Sequence, residues 1–195
     1  DSLTYKAKEL LYTDKDHRDP QKAFYLLRKA VQQDSAEAEY LLAMCYYYGW
    51  GVAQSWKSAM EWFTKASEHG HLKAMYELGR MHHYFIGCKQ NSMQALTLYS
   101  RAAEAGLGQA AKMLGQVYHT GELGVQDEER SKEWYARAYD LLLEQIFESD
   151  DAEAMNVLAW SYIDAEGVDR DYSQAFYYAK RSAGLNYAPA MNTMY

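Results

Sequence analysis

Six histidines and two cysteines are the residues of this chain that could hold a metal ion or supply a nucleophile. Their spacing supports neither role. His82 and His83 are adjacent, so on a helix their side chains diverge by about 100° and cannot grip one ion from the same face. His69-Gly70-His71 reads as a turn with no third ligand at a recognisable distance along the chain. A catalytic thiol needs a base within hydrogen-bond reach and a group to hold the developing oxyanion. Cys45 stands beside Tyr46 on a helical stretch and Cys88 falls in a loop, and neither is given such neighbours. The phosphate-cradling patterns G-x-x-x-x-G-K-[ST] and G-x-G-x-x-G are absent. The expectation is a protein that is not an enzyme, with no catalytic residue, no metal ligand, no cofactor and His82 as a packed core residue.

Nineteen tyrosines are the strongest compositional signal. A large ring with a hydroxyl at its rim suits a core made otherwise of small residues, and that accounts for about half of them. The rest must be placed by the elements that carry them.

Those elements repeat. Asp19, Ser55, Asn91, Asp127 and Asp171 are spaced 36, 36, 36 and 44 residues apart. Each has a short side-chain oxygen able to cap the free N–H groups of a first helical turn. Behind each cap runs an apolar stripe of helical period, such as Ala59, Trp62, Phe63, Ala66 or Ala95, Leu98, Tyr99, Ala102. These are the B helices. Gly70, Gly106 and Asn186 are suited to end them, and a second set, the A helices, follows at once. Its stripes read Ala38, Leu42, Ala43, Tyr46; Ala74, Leu78, Gly79, His82; Ala110, Leu114, Gly115, Tyr118; and Ala154, Leu158, Ala159, Tyr162. Glycine inside a helix costs about 1 kcal/mol against alanine, so Gly79 and Gly115 imply close helix contact.

A unit of this length cannot bury its apolar face alone and must stack on its neighbours, which predicts an all-α, right-handed α-solenoid of antiparallel helix pairs. The expected organisation is a single body over 1–195: a partial repeat at 1–36, four full repeats over about 37–188, and a truncated repeat at 189–195. Between Ala138 and Ala154 eight residues are added, near 139–151, and Leu141, Leu142, Leu143, Ile146 and Phe147 continue the helical pattern. The third full B helix should therefore run about two turns beyond its siblings. Cys45 and Cys88 sit at offsets seven residues apart in their units, about 10 Å along a helix, too far for a disulfide.

The stretches Ala38 to Gly70, through Gly49, Gly51, Val52, Trp62, Lys65 and Ala66, and Ala154 to Ala183, through Leu158, Tyr162, Gly167, Val168, Asp171 and Ala175, resemble the Sel1-like repeat, a relative of the tetratricopeptide repeat. The resemblance covers residues 37–195. It implies an adaptor or scaffold that binds a partner protein. Some cysteine-rich relatives are associated with β-lactam compounds, which gives the alternative of a small-ligand or cell-wall-fragment binder. This chain lacks their helix-to-helix cysteine pairing.

In such arrays the A helices line the concave side, and helical geometry places their third, seventh, tenth and eleventh positions away from the core columns. Those positions hold Tyr40, Met44, Tyr47 and Tyr48; Tyr76, Arg80, His83 and Tyr84; Lys112, Gln116, His119 and Thr120; and Asn156, Trp160, Ile163 and Asp164. A peptide or helix of a partner protein is expected across this face, chiefly on the first two sets, because Tyr, Trp and Arg dominate binding hot spots. The net charge of −7 argues against a nucleic-acid partner, which needs a dense Lys/Arg surface. No run of about 18 apolar residues spans a bilayer. The chain begins at Asp1 without a leader and is expected to be a piece of a longer protein; compartment and oligomeric state are left open.

Overall fold

The computed structural model describes residues 2–13 and 17–185, so Asn186 and the truncated repeat at 189–195 lie outside the described residues. Among these, ten α-helices follow one another: α1 Ser2–Tyr12, α2 Pro20–Ala30, α3 Ala36–Tyr48, α4 Trp56–Glu68, α5 Leu72–His83, α6 Ser92–Glu104, α7 Gly108–Thr120, α8 Glu128–Ser149, α9 Ala152–Asp164 and α10 Tyr172–Gly184. The architecture is an all-α solenoid of helix pairs, odd-numbered helices being A and even-numbered ones B. The chain forms two compact units, Asp1–Leu98 and Tyr99–Tyr195.

The caps act as their residue types require. Backbone N–H groups donate to the side-chain oxygens of Asp19, Ser55, Asn91, Asp127 and Asp171 at 2.9–3.2 Å. The residue just before each cap forms a column that the stripes do not reveal. Arg18, Gln54, Gln90, Gln126 and Arg170 each donate a side-chain N–H to the carbonyl of a residue within one position of the end of the preceding A helix: Thr13, Tyr47, His83, His119 and Ile163. This ties off one of the carbonyls that a helix C-terminus leaves without a partner. The signal was present in the sequence as a long donor side chain at every cap-minus-one position.

In unit 1 the core consists of Ala7, Leu11, Ala23, Leu27, Ala38, Leu41, Leu42, Ala59, Phe63, Ala74, Leu78 and Met81, all buried. Gly51, at φ 70°, lies so close to the backbone of Pro20, the first residue of α2, that no Cβ fits. In the next repeat a Cβ on Gly87 would stand 2.7 Å from the Cβ of Trp56, the first residue of α4. The α3–α4 and α5–α6 loops of unit 1 thus each dock on the start of the previous B helix.

Unit 2 departs from this register. Helix α8 has 22 residues where α4 has 13, continuing to Ser149 as one helix. Its added turns bury Leu142 and Ile146 against Ala154, Met155 and Leu158, with Tyr139, Leu143, Val157, Tyr162 and Tyr178 packed around them. Gly167, the counterpart of Gly51 and Gly87, would place a Cβ 2.5 Å from the carbonyl oxygen of Tyr135, the eighth residue of α8. The last helix pair has slid seven residues along α8, about 10 Å or two turns. The extension also repairs a missing cap: Leu107 precedes α7 and has no side-chain acceptor, and Gln145 Oε1 accepts the Gly108 N–H at 2.6 Å. Close contact expected at Gly115 is present, a Cβ there falling 2.6 Å from the Tyr135 ring.

Candidate functional site

On α3 and α5 of unit 1 the predicted face divides into buried supports and exposed contact groups. Tyr40 is buried, contrary to expectation: its ring stacks on His71 at 4.4 Å and leans on Phe63 at 6.0 Å. His71 caps α5 through Nδ1, which accepts the Ala74 N–H at 3.2 Å, and Nε2 lies 2.8 Å from Glu37. Glu37 also accepts from Lys8 at 2.8 Å, and the hydrogen bond from His71 followed by that from Lys8 holds its carboxyl down at about 2 against burial. Nearby, the buried carboxylate of Glu39 meets His69 Nδ1 at 2.7 Å, which raises the imidazole pKa. Tyr40 thus packs α3 against the start of α5.

His83 is the second correction. It is 3 % exposed, whereas His82, expected in the core, is only half-buried with Nδ1 3.7 Å from Cys88 Sγ. One residue of helix, about 100°, separates the two readings, and the stripe assigned the wrong one of the pair to the core. The His83 ring stacks at 4.1 Å on Tyr84, which is 41 % exposed. Tyr48, 50 % exposed, stacks on Trp50 at 4.8 Å, and Trp50 meets Tyr12 edge-on at 6.1 Å. Tyr47 is half-buried between Tyr48 and Phe63, and burial pushes its phenol pKa up. Arg80 lies 3.2 Å from Glu77 and 6.0 Å over the Tyr76 ring; the Glu77 charge raises its pKa further. Met44 is half-buried. Ring stacking fixes Tyr48 and Tyr84 in place while leaving one side of each open.

In unit 2 the same positions are different in kind. Lys112 is committed within the fold: Nζ lies 3.0 Å from Glu166, whose other oxygen accepts from Tyr135 at 3.0 Å. Asn156 is buried, which corrects its placement on the outer face. Gln116 and Ile163 are half-buried, Thr120 and Asp164 exposed, and His119 pairs with Glu128 at 3.0 Å. Trp160, 42 % exposed, is the one large aromatic of this set.

Unit 2 carries instead a cleft of about 460 Å³, lined by Ser100 and Glu104 of α6, Tyr118 of α7, and Arg130, Glu133, Trp134 and Arg137 of α8. Arg130 lies over Tyr118 and Arg137 over Trp134, at 5.7 and 5.2 Å. Cys45 is buried, with its thiol pKa pushed up to about 12 by burial, and Cys88 Sγ donates to the Met81 carbonyl at 3.5 Å. Among the described residues no three His, Cys, Asp or Glu side chains converge as a metal site, and no helix is long and apolar enough to cross a membrane.

The Sel1 repeat family model matches residues 15–35, 36–71, 72–107, 108–141 and 152–187. It breaks off across the extension of α8 and resumes with α9. No curated protein sequence matches the chain. Among solved structures, a Sel1 repeat protein from Oxalobacter formigenes is 28% identical with a TM-score of 0.64 over 99% of this chain and 74% of its own. The protective antigen c5321 of uropathogenic Escherichia coli, described as having an SLR fold, is 23% identical with a TM-score of 0.65. That match covers 99% of this chain, which spans about half the length of the antigen, 47%. An immunity protein from Pseudomonas aeruginosa shares the fold at 17% identity and a TM-score of 0.52, over 97% of this chain and 83% of its own. Sel1 repeat proteins are as a class non-catalytic, protein-binding scaffolds, and this chain, matched along five stretches of its length and in its three-dimensional fold, belongs to the Sel1 repeat family.

Proposed function

We propose that this chain is a non-catalytic scaffold that holds a peptide or helix of a partner protein against the A-helix face of unit 1. The observation that carries the reading is the pair of stacked, half-exposed rings, Tyr48 on Trp50 and Tyr84 on His83, with the Arg80 guanidinium over Tyr76. A ring already fixed by its neighbour loses little rotamer freedom when a partner covers it, so more of the burial energy appears as affinity. Tyr47 and Met44, both half-buried, are further contacts in this proposal, while Tyr40 and His83 act as supports. Gln116, His119 and Trp160 are secondary contacts in this proposal, and Lys112 is a support engaged with Glu166. The continuous array over 1–195 is part of the same proposal.

The alternative of a small-ligand or cell-wall-fragment binder has less behind it. It calls for an enclosed apolar pocket, and the cleft on unit 2 is lined by two arginines and two glutamates. A photo-reactive benzoylphenylalanine placed at Tyr48 or Tyr84, expressed in the native host, tests the main reading. Adducts to one polypeptide at those positions, and not at exposed Tyr25 of α2, are expected. Adducts at Tyr25 alone, or equally at all three, would move the site off this face.

A further inference from the structure

The two added turns of α8 do more than fill a gap in the core. Their inner side is locked by Leu142, Ile146 and the Gln145–Gly108 hydrogen bond, which makes the outer side a rigid surface rather than a fraying end. On that outer side stands Phe147, 93 % exposed, the most exposed large apolar side chain among the described residues. Leu143 lies one turn before it and is half-buried. Beside this edge, at i, i+4 and i+8, run Asp140, Glu144 and Glu148, all exposed and without an ion-pair partner among the described residues. Helical geometry places Phe147 about 20° from Asp140 and about 60° from Glu144 around the axis, so the ring and these two carboxylates share one face, with Glu148, about 100° from the ring, at its edge. Residues 142–151 fall between the matched repeats, and stacking of the repeats gives no reason for an exposed phenylalanine there.

We infer that the outer face of the α8 extension docks a basic amphipathic helix of a partner protein. Its apolar stripe would cover Leu143 and Phe147, and Lys or Arg beside the stripe would meet Asp140, Glu144 and Glu148, as flanking charges do beside an apolar seam between helices. The sign of the charge selects the partner: three unpaired carboxylates repel nucleic acid and anionic lipid.

The probe is a fluorescein-labelled peptide of Leu and Lys, about 18 residues or five helical turns, titrated against the full chain by fluorescence anisotropy. Binding that weakens with salt is expected. Phe147→Ala should weaken it at least tenfold and E144K/E148K more, while Met93→Ala, which removes another exposed apolar side chain on α6, leaves it unchanged. The helical melt of the Phe147→Ala chain should match the parent, as the ring touches little. Equal binding of F147A and the parent chain, or equal binding of a Leu/Glu peptide, would overturn the inference. So would sedimentation showing a concentration-dependent dimer that F147A abolishes, since the occupant would then be a second copy.

Discussion

Unit 1 and unit 2 are built from the same repeat and put their aromatic side chains to different uses. In unit 1 the α3–α4 and α5–α6 loops dock on the first residue of the preceding B helix, and Tyr47, Tyr48 and Tyr76 of the A helices, with Tyr84 just past α5, keep part of their surface open. In unit 2 the final loop docks on the eighth residue of α8, and three tyrosines are drawn into the seam this creates: Tyr162 contacts both Tyr139 and Tyr178 around the α8–α9–α10 core. A repeat array can thus specialise without changing its columns. Substitution on the A-helix face makes one surface, and an insertion of whole helical turns makes another.

The comparison breaks most readily at the seam of unit 2. Leu142→Ala removes a fully buried side chain from the added turns and should destabilise by about 2–5 kcal/mol, read by chemical denaturation. A loss below about 1 kcal/mol would mean that the extension is not part of the core. Gln145→Ala should cost less, about 1–2 kcal/mol, by leaving the Gly108 N–H at the start of α7 without its acceptor. Gln145→Glu keeps an acceptor and should recover most of that loss.

Unit 1 differs in its response to pH. The Glu37 carboxyl is held at about 2 when folded against an ordinary 4.5, so its contribution is complete above 4.5 and disappears as pH falls toward 2. With the side chain 38 % exposed, solvent screening limits this to about 1 kcal/mol. Glu37→Gln should flatten the acid limb of the stability curve by that amount. His69 has the opposite sign: its pKa is raised by Glu39, so its contribution is present below 6.5 and is lost as pH rises through the raised value. NMR titration of the ring should show a midpoint above 6.5 in the parent chain and a return toward it in Glu39→Gln.

Much of this fold is legible in the sequence because the period, the caps and the small-residue columns are each set by local physics. A cap needs a short oxygen, a helix contact needs a small residue, and eight extra apolar-periodic residues without glycine continue a helix. The register slip was legible too, in retrospect. The residue five past each cap is Phe24, Met60, Leu96 or Phe176, but Lys132 in α8, and Tyr139 seven residues later takes its place. What periodicity could not decide was exposure on a helix packed on several sides. Tyr40 and His83 lie at positions facing away from the core columns, yet His71 and Tyr84 cover them through ring stacking across or along the chain. Lys112 stands at another such position, and periodicity does not reveal its Glu166 partner, 54 positions away.

The claim that the A-helix face of unit 1 is the binding surface is tested most directly by titrating the cross-linked partner, once identified, against the parent chain and a Tyr48→Ala/Tyr84→Ala double variant. The two rings are half-exposed, so the helical melt should be nearly unchanged. Affinity should fall at least tenfold, about 1.4 kcal/mol. Equal affinity for the two chains would contradict the account.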